Sequence, residues 1–189
     1  MMSTRDLVLT ALFAAIIVAL GLLPPISLGF IPVPITAQSL GVMMAGVVLG
    51  ARRGAIAVLI VLLLVAIGLP VLSGGRGGLA IFASPSAGFL VGWIFGAFVT
   101  GYLSERLVNH GQSGLVQTVS FFLAAMVGGV VVLYALRYRL SRHRCPASAS
   151  PKPSSARWAF IPGDVIKAFV AALLGRAVMA GYPLLPARA

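Results

Sequence analysis

The chain has 189 residues, of which 60% are hydrophobic and only 9% are charged, and its mean hydropathy is +1.07. Water-soluble domains contain about 45–50% apolar and about 25% charged residues, so the composition excludes an ordinary soluble domain. The formal net charge of +11 does not indicate a nucleic-acid partner. The cationic residues lie between apolar runs, where such residues usually set the orientation of a membrane protein.

Six apolar runs follow one another along the chain, at residues 7–23, 35–49, 55–69, 88–103, 115–136 and 164–180. A membrane-spanning helix needs roughly 20 residues. The pattern therefore predicts an all-α integral membrane protein with about six transmembrane helices in a compact bundle. The whole chain, 1–189, is expected to form one membrane domain in contact with the lipid bilayer.

The distribution of arginines predicts a cytoplasmic amino terminus. With that orientation the inner side carries Arg5, Arg52, Arg53, Arg106 and Arg188. The outer connections before residue 137 carry Arg76 alone. Positive charge accumulates on the cytoplasmic side of membrane proteins. The longer Gly- and Pro-rich connections then lie outside, and we expect a binding site there.

Residues 137–157 depart from this pattern, because they place six of the 14 cationic residues in the last outer connection. One interpretation is a solvated, disordered loop, since Ser, Pro and Arg bury little apolar surface. The other is a compensated reading-frame slip, because removing one base from Arg, His and Cys codons gives codons for small and apolar residues. Translating the gene in its other two frames tests this, and a polar product in both would exclude it.

Catalytic and metal-binding patterns are absent from the sequence. Cys145, His110 and His143 have no recognisable metal-ligand spacing, so neither a metal nor a cofactor is predicted. The sequence also lacks the HExxH, GxSxG and GxxxxGK[ST] motifs, which argues against an enzyme or a nucleotide site.

Asp164 and Lys167 form the strongest candidate site. They are three residues apart inside an apolar run, and therefore lie on one face of a helix. Each would cost roughly 2.5–3.5 kcal/mol at the centre of a span, so such groups usually face a cavity and have a function. The alternative is that Asp164 caps the helix after Pro162 and Gly163. That alternative leaves Lys167 unexplained, since a cation is unfavourable in a first helical turn.

Three further features are candidates with open alternatives. Gly75, Arg76 and Gly77 could bind an anion such as a carboxylate, or belong to a flexible linker. Gln38 could hydrogen-bond a polar ligand, or lie at the membrane interface. A ridge of small residues on the first helix, at Ala11, Ala15 and Ala19, could contact a partner helix, although alanine is frequent here. Together the residues indicate a small membrane receptor or carrier for a small amphipathic anion.

Several short motifs occur in a family-specific order. They are PITAQ at 34–38, LGARRG at 49–54, GLPV at 68–71, GGRGG at 74–78, SAGF at 86–89 and FIPGDVIK at 160–167. In these motifs the chain resembles the BioY family, the biotin-specific S components of bacterial energy-coupling-factor transporters. The resemblance covers nearly the whole chain except 137–157, which is largely apolar in the family.

The resemblance implies capture of biotin at the outer face of the bacterial cytoplasmic membrane. Import would be driven by a transmembrane coupling protein and two ATPase subunits. Asp164 and Lys167 are the implied ligand-binding residues, the loop around Arg76 is similar to one that closes over the ligand, and the alanine ridge would contact the coupling protein. The alternatives are an S component or solitary carrier for another small anionic vitamin, and an intramembrane enzyme that uses Asp164. Formation of a homo-oligomer is left open.

Overall fold

The structure, a computed structural model, describes residues 2–24, 36–84, 87–109, 111–136, 161–182 and 184–185. Its helices are α1 (Thr4–Leu22), α2 (Gln38–Leu49), α3 (Ala51–Ala66), α4 (Ala80–Ala83), α5 (Ala87–Leu107), α6 (Gly114–Leu136) and α7 (Ile161–Gly181). Within α6, Val127–Val132 form a π-helical turn. The basic segment 137–157, with both interpretations given to it, lies outside the described residues.

The predicted all-α bundle is confirmed in the described part of the chain. Three helices are long and apolar enough to cross a membrane, namely α1, α5 and α6, and α2 is apolar but has only 12 residues. Large hydrophobic side chains such as Leu63, Leu115 and Leu123 are exposed on the outside of the bundle. A continuous apolar surface of this kind is suited to lipid rather than water.

The long helices alternate in direction. We call the end of the bundle at which α2, α5 and α7 begin the upper end, and the opposite end the lower end. Gln38, at the start of α2, contacts the segment that follows α3, so α3 ends at the upper end. Asp6 near the start of α1 pairs with Arg53 near the start of α3, at a distance of 3.0 Å, at the lower end. This up-and-down order places both Lys167 and Arg76 at the upper end.

Several predicted boundaries are wrong by a few residues, and two of them have clear local reasons. Gly50 alone separates α2 from α3. Its φ of 84°, which residues other than glycine rarely adopt, reverses the direction of the chain between the two helices. Arg52 and Arg53 therefore lie in the first turn of α3, rather than in a connection. Likewise α7 begins before Pro162, because proline is tolerated in a first helical turn where no backbone donor is needed.

Helix α2 is the centre of the bundle. It packs against α1, α3, α5 and α7, and most of its residues are buried. Gly46 allows a close approach to α5, because a Cβ there would come within 2.7 Å of the Ala97 carbonyl oxygen. Small residues let membrane helices approach in this way. The central position of α2 makes its first turn a fixed platform at the upper end.

Candidate ligand-binding site

An ion pair between Asp164 and Lys167 lies in the first two turns of α7. The distance from Lys167 Nζ to Asp164 Oδ1 is 3.1 Å, and each side chain is only 13% exposed. A cation near a helix amino terminus is disfavoured by the helix dipole. Here the carboxylate one turn earlier offsets that effect. The structure thus brings together the two residues that the sequence predicted as a pair.

Side chains from two other helices complete the polar cluster. Tyr134, near the end of α6, donates a hydrogen bond of 2.8 Å to Asp164 Oδ2. Lys167 Nζ donates a second hydrogen bond, of 2.9 Å, to the Oγ of Ser39 on α2. Hydrogen bonds to charged groups contribute about 1.5–3 kcal/mol each. Both members of the pair are therefore held by groups outside their own helix.

The alternative role of Asp164 as a helix cap does not fit these contacts. Asp164 is the fourth residue of α7, and both of its carboxylate oxygens accept hydrogen bonds from side chains. A capping carboxylate would instead accept from backbone N–H groups of the first turn. The carboxylate belongs to a cluster between helices.

The π-helical turn in α6 ends two residues before Tyr134. A π turn contains an additional residue and shifts the helical faces that follow it. After this turn Leu133 is 2% exposed in the core, and the hydroxyl of Tyr134 reaches Asp164. The turn begins next to Gly128, where a Cβ would come within 2.6 Å of the Gly96 carbonyl oxygen. The close crossing of α5 and α6 and the position of Tyr134 are thus parts of the same irregularity.

Gln38 is 1% exposed and connects α2 to the segment after α3. Its Nε2 donates to the Val71 carbonyl oxygen at 2.9 Å, and its Oε1 accepts from the Ser73 amide at 3.0 Å. A side-chain amide has one further donor and one further lone pair. Gln38 is therefore engaged with the loop and retains capacity for another contact.

Residues 71–78 form a compact loop at the upper end, which we call the glycine loop. Gly74, Gly75 and Gly78 have positive φ, and a short turn closes between Leu72 and Arg76. Arg76 is exposed, and its Nε donates to the Ser73 carbonyl oxygen at 3.3 Å. Gly75, Arg76 and Gly77 are thus on the same end of the bundle as the ion pair, connected to it through Gln38 and its neighbour Ser39.

The alanine ridge lies away from the other helices. Ala11, Ala15 and Ala19 are exposed, whereas Phe13 and Ile17 on the opposite face of α1 are buried. Their exposure makes them accessible to a partner helix, and the contact itself stays a prediction.

Sequence analysis did not identify Ser39 and Tyr134. Ser39 follows Gln38 at the start of an apolar helix, and Tyr134 is a polar side chain within a long apolar run. A polar side chain in such an apolar segment is the signal by which the sequence could have identified each of them. Among the described residues no three His, Cys, Asp or Glu side chains lie together as metal ligands.

Comparison with known proteins gives consistent results. A sequence model of the BioY family matches residues 1–184. The biotin transporter BioY of Rhizobium etli is 86% identical over 189 residues, which is the full length of both chains. The biotin transporter BioY of Rhodobacter capsulatus is 50% identical, over 92% of this chain and 93% of that protein.

The crystal structure of an S-component for biotin from an ECF-type ABC transporter has the same fold. Its TM-score is 0.79 at 35% sequence identity, and the match covers 95% of both chains. These proteins are described as transporters or transporter components, and not as enzymes. The family match over nearly the whole chain and the shared membrane fold establish that this protein belongs to the BioY family.

Proposed function

We propose that the protein binds biotin with high affinity and serves as the substrate-binding S component of an ATP-driven energy-coupling-factor transporter. The observation that carries the proposal is the Asp164–Lys167 pair, held by Ser39 and Tyr134 at one end of an apolar bundle. Charged groups inside a membrane bundle are costly and usually serve a function. The relatives named as biotin transporters, and the structural match to an S-component for biotin, supply the ligand.

The chemistry of biotin suits this end of the bundle. Its ureido N–H groups are donors for the carboxylate of Asp164, and its carboxylate needs a cation such as Lys167 or Arg76. Its ring and hydrocarbon chain are apolar, like the walls of the bundle. Gly75 and Gly77 would let the loop backbone approach the ligand closely, and Gln38 has one donor and one lone pair left for it.

The partners follow from the same proposal. The chain would associate with a transmembrane coupling protein and two ATPase subunits, and the exposed ridge of Ala11, Ala15 and Ala19 would contact the coupling protein. No cofactor is required for ligand capture, and the protein is not proposed to be an enzyme. Homo-oligomer formation is not needed for this function.

The proposed location is the bacterial cytoplasmic membrane, with the amino terminus inside. Arg5, Arg52, Arg53 and Arg106 all lie at the lower end of the described bundle, where α1 and α3 begin and α5 ends. The positive-inside rule then assigns the lower end to the cytoplasm. The upper end, with Asp164 and the glycine loop, would face outward to capture the vitamin.

Replacing Lys167 tests the proposed site. Equilibrium binding of radiolabelled biotin to the purified protein should show nanomolar-range affinity for wild type. We expect Lys167→Ala to weaken binding by about 10- to 150-fold, the equivalent of losing one charge-assisted contact of about 1.5–3 kcal/mol.

Arg52→Ala is the matched control, because Arg52 is an exposed cation at the lower end. Its affinity should equal that of wild type. Unchanged binding by Lys167→Ala would remove Lys167 from the site. Failure of wild type to retain biotin at micromolar concentration would contradict the proposed function, and direct binding of another radiolabelled anionic vitamin would then identify a different ligand.

A further inference from the structure

The glycine loop is built into the bundle at its base. The Leu72 amide donates to the Arg76 carbonyl oxygen at 3.1 Å, and the Gly78 amide donates to the Val65 carbonyl oxygen on α3 at 2.8 Å. Leu72 is 4% exposed and Ser73 is 7% exposed. The first residues of the loop are therefore fixed and buried, although its tip at Gly74, Gly75 and Arg76 is exposed.

Gln38 fixes Ser73 in particular. The side-chain amide of Gln38 forms hydrogen bonds on both sides of Leu72. It donates to the Val71 carbonyl oxygen and accepts from the Ser73 backbone amide. Gly21 on α1 leaves just enough space for this arrangement, since a Cβ there would come within 2.6 Å of the same Val71 oxygen. The backbone of Ser73 is thus tied to the first turn of α2.

The hydroxyl of Ser73 is buried and has no hydrogen-bond partner among the described residues. Buried polar side-chain atoms are normally hydrogen-bonded, so each exception needs an explanation. Three other buried atoms share this property, on Trp93, Thr100 and Asn109. Those on Thr100 and Asn109 lie in the lower half of the bundle, and Trp93 is within the helix α5. Of the four, Ser73 alone belongs to the glycine loop.

The position of Ser73 relates it to the ion pair. Gln38, whose Oε1 holds the Ser73 amide, directly precedes Ser39, whose Oγ accepts the hydrogen bond from Lys167. The Asp164–Lys167 pair has no net charge and offers an acceptor and a donor side by side, which is the pattern complementary to a neutral ureido group. A carboxylate instead needs net positive charge and hydrogen-bond donors. The hydroxyl of Ser73 is a hydrogen-bond donor, and Arg76, whose Nε donates to the Ser73 carbonyl oxygen, carries the positive charge.

We propose that Ser73 is a ligand-binding residue whose hydroxyl donates a hydrogen bond to the carboxylate of bound biotin, and that Gln38 is the positioning residue that holds it there. This inference rests on the proposed function, because it takes biotin as the ligand. It adds to that function a second subsite, formed by the base of the glycine loop.

The test compares biotin with biotinamide, in which the carboxylate is replaced by a neutral amide. Ser73→Ala should weaken the binding of radiolabelled biotin about tenfold and that of competing biotinamide only about two- to threefold, because a hydrogen bond to a charged carboxylate contributes more than one to a neutral amide oxygen. Ser73→Thr keeps the hydroxyl and should bind biotin within about threefold of wild type. Thr100→Val removes a buried hydroxyl in the lower half that likewise has no hydrogen-bond partner among the described residues, and it should leave both affinities unchanged.

Equal losses for the two ligands, or no loss for biotin, would overturn the assignment of Ser73 and leave the proposed function intact. If Ser73→Ala does not fold, Ser73→Thr serves as the test. A loss of biotin affinity in Ser73→Thr as large as that in Lys167→Ala would then overturn the assignment of Ser73. Absence of biotin binding by wild type would instead overturn the proposed function, and this inference with it.

The role of Gln38 has a separate readout. Gln38→Leu removes both hydrogen bonds to the loop. We expect trypsin to cleave this variant after the exposed Arg76 several times faster than it cleaves wild type or Thr100→Val, with the fragment masses identifying the position of cleavage. An unchanged rate of cleavage after Arg76 would show that Gln38 does not position the loop.

Discussion

The two oxygens of the Asp164 carboxylate have different partners. Oδ1 contacts Lys167 at 3.1 Å, and Oδ2 accepts from Tyr134 at 2.8 Å. A carboxylate has about four lone-pair sites and an ammonium group has three donors, so each partner retains capacity for a ligand. Because protein contacts already orient both groups, ligand binding costs less side-chain conformational entropy.

Replacing Tyr134 by phenylalanine tests this orientation. Tyr134→Phe keeps the ring and removes the donor to Asp164. We expect biotin binding to weaken by about tenfold, equivalent to about 1.4 kcal/mol, since the carboxylate loses one of its two fixed partners. Equilibrium binding of labelled biotin measures the effect.

Tyr102→Phe is the matched control, because Tyr102 lies at the lower end beneath the guanidinium of Arg106. Its affinity should not change. Wild-type affinity in Tyr134→Phe would mean that the tyrosine hydroxyl has no part in ligand binding.

The sequence could predict one half of the polar cluster. Asp164 and Lys167 stand out because charges are rare in apolar runs and because three residues separate them. Their partners are 30 and 128 residues distant, at Tyr134 and Ser39. Contacts between helices follow no fixed spacing, and a hydroxyl in an apolar run costs little enough to be common. These two residues became identifiable only once the packing of α2, α6 and α7 was known.

At the scale of the helices, the composition and the lengths of the apolar runs predicted an all-α bundle, in which α1, α5 and α6 are long and apolar enough to cross a membrane. They did not predict the irregularities of the helices. The π-helical turn at Val127–Val132 has the apolar sequence VGGVVV, which by itself does not distinguish a π turn from an α-helix. Its position depends on the crossing of α5 and α6 at Gly96 and Gly128. The one-residue link at Gly50 likewise depends on a positive φ, which cannot be predicted from the length of an apolar run.

Enlarging the alanine ridge tests the proposed contact with the coupling protein. A tryptophan at Ala15 adds volume to the exposed face of α1. We expect Ala15→Trp to abolish co-purification with the coupling protein and the ATPase subunits, because close helix approach in lipid needs small side chains. Binding of biotin to the isolated variant should be unchanged.

Leu123→Trp is the matched control, because Leu123 is an exposed residue of α6 and is 50% accessible. It should co-purify like wild type. Normal co-purification of Ala15→Trp would place the partner surface elsewhere on the molecule.

At the scale of the whole molecule, the polar groups separate into two ends joined by an apolar bundle. Arg53 at the lower end donates to Asp6 and to the Leu184 carbonyl oxygen, which ties α1, α3 and the segment after α7 together. Glu105 accepts from the Ala51 amide at 2.9 Å, at the start of α3. The charges of the lower end thus stabilise the bundle, whereas those of the upper end form the candidate site.

The proposed direction of uptake can be measured by thiol labelling. In a Cys145→Ser background, Arg76→Cys and Gly111→Cys each place one thiol at an exposed position, at the upper and the lower end respectively. In spheroplasts, a membrane-impermeant maleimide should label the Arg76→Cys variant at once. It should label Gly111→Cys only after the membrane is permeabilised, because the arginines of the lower end favour the proposed cytoplasmic location of that end. The opposite result would place the ion pair and the glycine loop inside the cell, where they could not capture biotin for import.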